Sequence, residues 1–216
     1  MMKIPVLFAL LLTATALHAQ ESSVKPKGYY SSDFIIDSIP RYITFYIPAG
    51  FGTKDNYPLM FVLHDDAENA KTAIKKYSGI IEPLADSSTC IVVYMDAVKM
   101  HWNTRIGAGA AGDTINDVGF ANIMINYFVQ QYYCDAQRIY IMGFNNGGAM
   151  AWRMACNLPK HIAAIAPFTA ALPDAQKACA ETLPYFNTDK YTGTAVKKYS
   201  TEAIKDAWEF LMKQGR

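Results

Sequence analysis

"RIYIMGFNNGGAMAWRMAC" (138–156) decides how this chain is read. It opens as an apolar, β-branched and aromatic run, passes through a Gly-rich bend, and continues as a helix. The bend has the frame Gly143-Phe144-Asn145-Asn146-Gly147, which lifts one central side chain onto a tight strand-to-helix turn. Gly143, Gly147, Gly148 and Ala149 are small enough for the two backbones to approach closely. The central side chain, Asn145, is an amide and no nucleophile. On this segment alone, a reactive bend and an ordinary connection stand level.

Neighbouring segments supply the sheet. "PLMFVLH" (58–64), "CIVVYMD" (90–96) and "IAAIAPF" (162–168) are continuous apolar runs, the pattern of strands covered on both faces. "YITFYIP" (42–48) alternates and ends at Pro48; "TLPYF" (182–186) is a weaker strand. Helices are predicted over 69–86, with a break at Pro83, over 115–133, from about 146, and over 200–214 with Ser200 or Thr201 as N-cap. Alternation of buried strands and helices predicts an α/β fold, a mostly parallel sheet with helices on both faces. Ligands in such folds sit at the carboxyl ends of the strands. The loops at 64–69, 96–103 and 143–148 should therefore meet in one crevice.

The chain has 216 residues, about half of them apolar, and a formal net charge of +1, enough for one sizeable core. No basic run supports a nucleic-acid partner. "MMKIPVLFALLLTATALHAQ" (1–20) reads as a secretory signal peptide cut near Ala19 or Gln20, leaving residues 21–216 as one domain. Its apolar stretch is shorter than the roughly 20 residues of a spanning helix, so the mature protein is expected to have no membrane span and to reside in the periplasm or outside the cell. Four cysteines allow three complete pairings. Cys156, at a helix end, and Cys179, in the loop after the next strand, are the favoured pair; Cys90 reads as a small buried hydrophobe.

Strand, Gly-x-Ser-x-Gly and helix form the nucleophile elbow of α/β-hydrolases. With "RYITFYIPAG" (41–50), "PLMFVLH" (58–64), "IVVYMDAVKMHWN" (91–103), "NDVGFANIMINYF" (116–128), the quoted stretch and Cys179 with Pro184, the chain resembles the secreted polyhydroxybutyrate depolymerase and feruloyl/acetylxylan esterase-like family of α/β-hydrolases over about residues 40–185. The resemblance implies an α/β-hydrolase fold, truncated at its C-terminal end, and ester hydrolysis by a Ser, an acid and a His in that chain order.

The residues depart from that pattern at the chemistry. Asn145 stands at the nucleophile position, and Asn tolerates the positive φ that an elbow imposes. No histidine follows the acid position; His18, His64, His101 and His161 all precede it, so the triad His is missing. Where the family has His-Gly in its oxyanion loop, this chain has His64-Asp65-Asp66, placing negative charge where a negative intermediate would form. Asn146, after the elbow's centre, is the other oxyanion-loop position. Asp189 stands near the family's acid, and a plain turn residue is an equally good reading.

Trp102 and Asn103 match the family's "WN" and are expected to line the substrate crevice, although a core aromatic plugging a loop is as good a reading of Trp102. Asp117 is expected to support a neighbouring loop. The expectation is an inactive or impaired homologue that retains a carbohydrate or acyl-ester ligand and needs no cofactor or metal. The alternatives are an ester hydrolase with another nucleophile, such as Thr104, Thr169 or a deamidated Asn145, and a metal-assisted hydrolase using His64, Asp65, Asp66 and Glu68. The spacing of the last set is not that of a metal site.

Overall fold

The computed structural model describes residues 25–104, 115–170, 179, 182–187 and 199–215. Within them, six strands form one mixed sheet in the order β1-β2-β4-β3-β5-β6. These are β1 (Gly28–Ile36), β2 (Ile39–Ile47), β3 (Tyr57–Leu63), β4 (Ile91–Met95), β5 (Cys134–Phe144) and β6 (Ile162–Phe168). The β1–β2 and β2–β4 pairs are antiparallel, while β4–β3, β3–β5 and β5–β6 are parallel.

Every residue of β3, β4 and β6 is buried, as their unbroken apolar runs predicted. The core lies on both sides of the sheet. Helices α2 (Asp117–Tyr132) and α3 (Asn146–Asn157) cover one face with Phe120, Met124, Phe128, Met150 and Met154. Helices α1 (Ala70–Ser88) and α4 (Thr201–Met212) cover the other with Tyr77, Ile81, Ile204 and Trp208. Asn69 caps α1 in a reciprocal box with Thr72, and Ser200 caps α4 through Ala203 N–H.

Four sequence expectations need correction. Strand β1 was not foreseen: it alternates only between half-buried and exposed positions, so its apolar signal is weak. A two-residue turn, Asp37-Ser38, with φ of 51° and 63°, folds it onto β2. Pro83 lies inside α1 without breaking it. Strand β5 begins at Cys134, four residues earlier than "RIYIMG" suggests. "TLPYF" is no strand; it makes a single bridge, Ile165 to Tyr185. Residues 1–20, the predicted signal peptide, lie outside the described residues. Cys156 and Cys179 are disulfide-bonded, whereas Cys90 and Cys134 are free and buried.

Candidate functional site

The elbow is held by close backbone contact. A Cβ on Gly143 would lie 2.2 Å from the Gly147 carbonyl oxygen, and one on Gly147 would lie 2.4 Å from that of Leu63. Gly148 faces Ala170 Cβ at 2.8 Å in the same sense. Real side chains do not fit such gaps, so the glycines fix how α3 leaves the sheet. Asn145 sits at the apex with φ 49° and ψ −107°, a left-handed conformation costly to most side chains. Its N–H donates to the Phe168 carbonyl at 2.8 Å, tying the apex to the end of β6, and its carbonyl accepts from Ala149 N–H at 3.0 Å. The side chain itself is exposed and makes no capping bond.

The three loops after β3, β4 and β5 meet here. Ala67 N–H donates to the Met100 carbonyl at 3.0 Å, and Ala97 N–H donates to His64 Nε2 at 3.1 Å. Because Nε2 accepts, Nδ1 carries the His64 proton and donates to the Asp65 carbonyl at 2.6 Å. Burial pushes the His64 imidazole below its ordinary pKa, against the pull of Asp96, Glu68 and Asp65, and the ring packs against Trp102 at 4.9 Å. His64 is therefore a neutral brace with both nitrogens engaged.

Trp102 does not line a ligand crevice. It is fully buried, and its indole N–H donates to the His64 carbonyl at 2.9 Å. Its own N–H donates to Asn146 Oδ1 at 2.9 Å, so the Asn146 side chain pins the Trp102 loop to the first turn of α3. Asn103 is buried too, donating from its backbone to Asp117 Oδ2 at 2.8 Å and from its amide to the Ile115 carbonyl at 2.9 Å. Enclosure replaces the stacking expected of Trp102; the core-aromatic reading is the one the packing supports.

Asp117 holds that loop, as expected, but its partner was missed. Arg41 donates to Asp117 Oδ1 at 2.6 Å with both side chains almost wholly enclosed, and its guanidinium lies 4.1 Å from the centre of the Phe120 ring. Arg153 donates to the Asn103 carbonyl. The signal was present: Arg41 falls in phase with Ile43, Phe45 and Ile47 on the buried face of β2, where a charge must find a partner.

The acidic loop is engaged locally. Asp65 accepts from Asp66 N–H at 2.6 Å, Asp66 pairs with His101 Nδ1 at 2.6 Å, and Glu68 pairs with Lys76. The bond from His101 holds the Asp66 carboxyl below the usual range. Among the described residues no three His, Cys, Asp or Glu side chains form a group able to hold a metal ion. His161 precedes β6, at the end of the sheet away from the elbow.

Thr169 follows β6 with φ 57°, and its hydroxyl lies 3.1 Å from that of Tyr199. Burial raises the Tyr199 phenol's pKa, so it offers no base at neutral pH. Tyr199 also packs edge-on to Phe144, which stacks on Tyr77 at 4.2 Å. Thr104 is half-buried, and Asp189 lies outside the described residues.

What this geometry can do follows from the apex. It presents an exposed amide beside the first turn of a helix whose N–H groups lack intrahelical partners. It can hydrogen-bond a ligand's carbonyl or hydroxyl, and it offers no group able to attack one. Solved structures agree on the scaffold. A thermostable esterase superposes with a TM-score of 0.66 at 16% identity, covering 87% of this chain and 63% of that one. The chain has the α/β-hydrolase fold. Two curated relatives add a distant sequence relation. Feruloyl esterase B of Neurospora crassa is 33% identical over 122 residues, covering 53% of this chain and 39% of that protein. Feruloyl esterase B of Thermothelomyces thermophilus is 29% identical over 156 residues, covering 69% and 48%. The chain is thus an α/β-hydrolase-fold protein distantly similar to feruloyl esterases, and it spans less than half the length of either relative. No family model matches it.

Proposed function

We propose that this α/β-hydrolase homologue is a non-hydrolytic binding protein of the polyhydroxybutyrate depolymerase and feruloyl esterase group, working in the periplasm or outside the cell. The observation that carries the reading is Asn145 at the apex of an otherwise intact elbow. Its carboxamide has no proton that a nearby base could remove at neutral pH, and its oxygen is not poised to attack an acyl carbon. The surroundings support the same conclusion. His64 is locked in a neutral, two-bond arrangement, and Asp65 brings a carboxylate to the loop that would have to hold an oxyanion. The Cys156–Cys179 disulfide supports export, since such bonds persist outside the reducing cytoplasm. The ligand class is an acyl ester or carbohydrate, held by hydrogen bonds to the Asn145 amide and the first turn of α3.

Turnover of short-chain nitrophenyl esters and feruloyl esters tests the reading, with an Asn145→Ser variant beside the native chain. The expected result is background hydrolysis by both. A serine alone does not restore the reaction, because among the described residues no imidazole is bonded into the elbow. Robust turnover by the native chain overturns the proposal. If that turnover disappears in His101→Ala, the exposed Asp66–His101 pair, with Nε2 available to activate water, would be its source.

A further inference from the structure

A second concave site lies at the other end of the sheet. It is a cleft of about 590 Å³, in the range of small-ligand sites. Tyr57, which opens β3, and Tyr132, which closes α2, line it, whereas the elbow follows the last residue of β5. The seven residues of β3 put roughly 20 Å between the two ends. The cleft is therefore separate from the site around Asn145.

Its lining is aromatic and cationic. Phe51, Tyr57, Tyr127, Tyr132 and Tyr133 contribute the rings. Four of them run in a chain, with centroids 4.8 Å apart for Phe51–Tyr57, 6.2 Å for Phe51–Tyr132 and 5.8 Å for Tyr127–Tyr132. Tyr57 and Tyr132 are buried behind the surface, whereas Phe51, Tyr127 and Tyr133 keep part of their rings open to solvent. Among the described lining residues none is aliphatic, so the cleft is not a greasy pocket that would enclose a wholly apolar ligand. The exposed ammonium groups of Lys25 and Lys54 stand by this wall, 5.3 Å from the Tyr132 centroid and 5.9 Å from that of Tyr57. Asp55 is the lining's one carboxylate, against two lysines.

Two further features shape the cleft. The 51–55 loop is pre-shaped: the N–H groups of Gly52 and Lys54 donate to the Tyr57 hydroxyl at 2.8 and 3.2 Å, so the cleft exists before anything enters it. Tyr133, the residue that caps α2, is in the left-handed conformation, φ 54°, where Gly is the usual residue, and it leaves 62% of its surface exposed. Its exposed ring lies at the cleft, within reach of a ligand.

Flat rings, phenol hydroxyls and unneutralised ammonium groups together suit a hydrated ring ligand that bears negative charge. The C–H faces of sugars pack on tyrosine and phenylalanine rings, ring hydroxyls bond to phenols and to the Gln131 amide, and carboxylates meet lysines. We propose that this cleft binds an acidic oligosaccharide, its sugar rings against the accessible rings of Phe51, Tyr127 and Tyr133 and its carboxylates at Lys25 and Lys54.

Calorimetric titration with a short oligogalacturonate tests this, beside a neutral xylo-oligosaccharide of equal length and benzoate. Binding of the oligogalacturonate is expected, weakening as salt rises, with little or no binding of the other two. Tyr133→Ala and the double variant Lys25→Gln/Lys54→Gln, all at exposed positions, should each weaken it about fivefold or more. Lys205→Gln, at an exposed lysine of α4 on the other face of the sheet, should leave it unchanged, which separates a located site from general attraction to positive charge. The proposal is overturned if no uronate binds, if the neutral sugar or benzoate binds as well, or if the Lys and Tyr133 variants bind like the native chain.

Discussion

Beneath Asn145 and above it the elbow obeys different constraints. Below, Gly143, Gly147 and Gly148 meet backbone or Cβ atoms at distances that exclude any side chain, and the Arg41–Asp117 pair fixes the adjoining loop from inside the core. Above, one exposed amide points away from the protein with no capping bond. The lower half is dictated by packing, so it persists as long as the fold does. The upper half contributes nothing to packing, so its chemistry can change while the scaffold stays. On the proposed reading, this difference lets the apex lose its hydrolytic chemistry while the α/β-hydrolase fold stays.

Substitutions on the two sides should therefore differ sharply in cost. The largest effect is expected for Asp117→Ala, which strands the Arg41 guanidinium in the core and removes the carboxylate that accepts from the Asn103 N–H. Removing one partner of a buried ion pair costs ~3–5 kcal/mol, measurable by urea denaturation. Gly143→Ala forces a methyl into the Gly147 carbonyl and should cost about 1–3 kcal/mol as an overpacking defect. At Asn145 the sign should reverse: Asn145→Gly relieves a positive-φ residue and should match the native chain or exceed it by up to about 1 kcal/mol. Were Asn145→Gly as damaging as Gly143→Ala, the contrast between the two halves would be wrong.

The smallest effect concerns pH. His64 has its pKa lowered in the folded protein, so its contribution to stability is complete above the ordinary imidazole value of about 6.5 and declines as pH falls below it. Urea midpoints should drop more between pH 7.5 and 5 in the native chain than in His64→Gln. Equal slopes would mean that the buried imidazole is not what couples this loop to pH.

Much of this arrangement was legible in the sequence. Unbroken apolar runs announced β3, β4 and β6 because strands covered on both faces have no solvent-facing positions to mark with polar residues. The elbow was legible because close backbone approach demands glycine. Strand β1 was not, since a half-covered edge strand turned by Asp37-Ser38 carries neither an apolar run nor a Gly turn. Trp102 shows the harder limit. Its position in a crevice loop suits a ligand-stacking ring and a structural plug equally, and only the bond from its indole to the His64 carbonyl separates them. The Arg41–Asp117 partnership joins residues 76 positions apart, and local pattern does not encode which distant charge answers a buried one.

The most direct test of the central claim is covalent. Purified protein incubated with a fluorophosphonate and, separately, with a slow acyl ester should show unchanged intact mass, because the elbow holds no oxygen that can be phosphonylated or acylated. A stoichiometric adduct mapped to Thr169, Thr104 or a carboxylate formed at Asn145 would contradict the account.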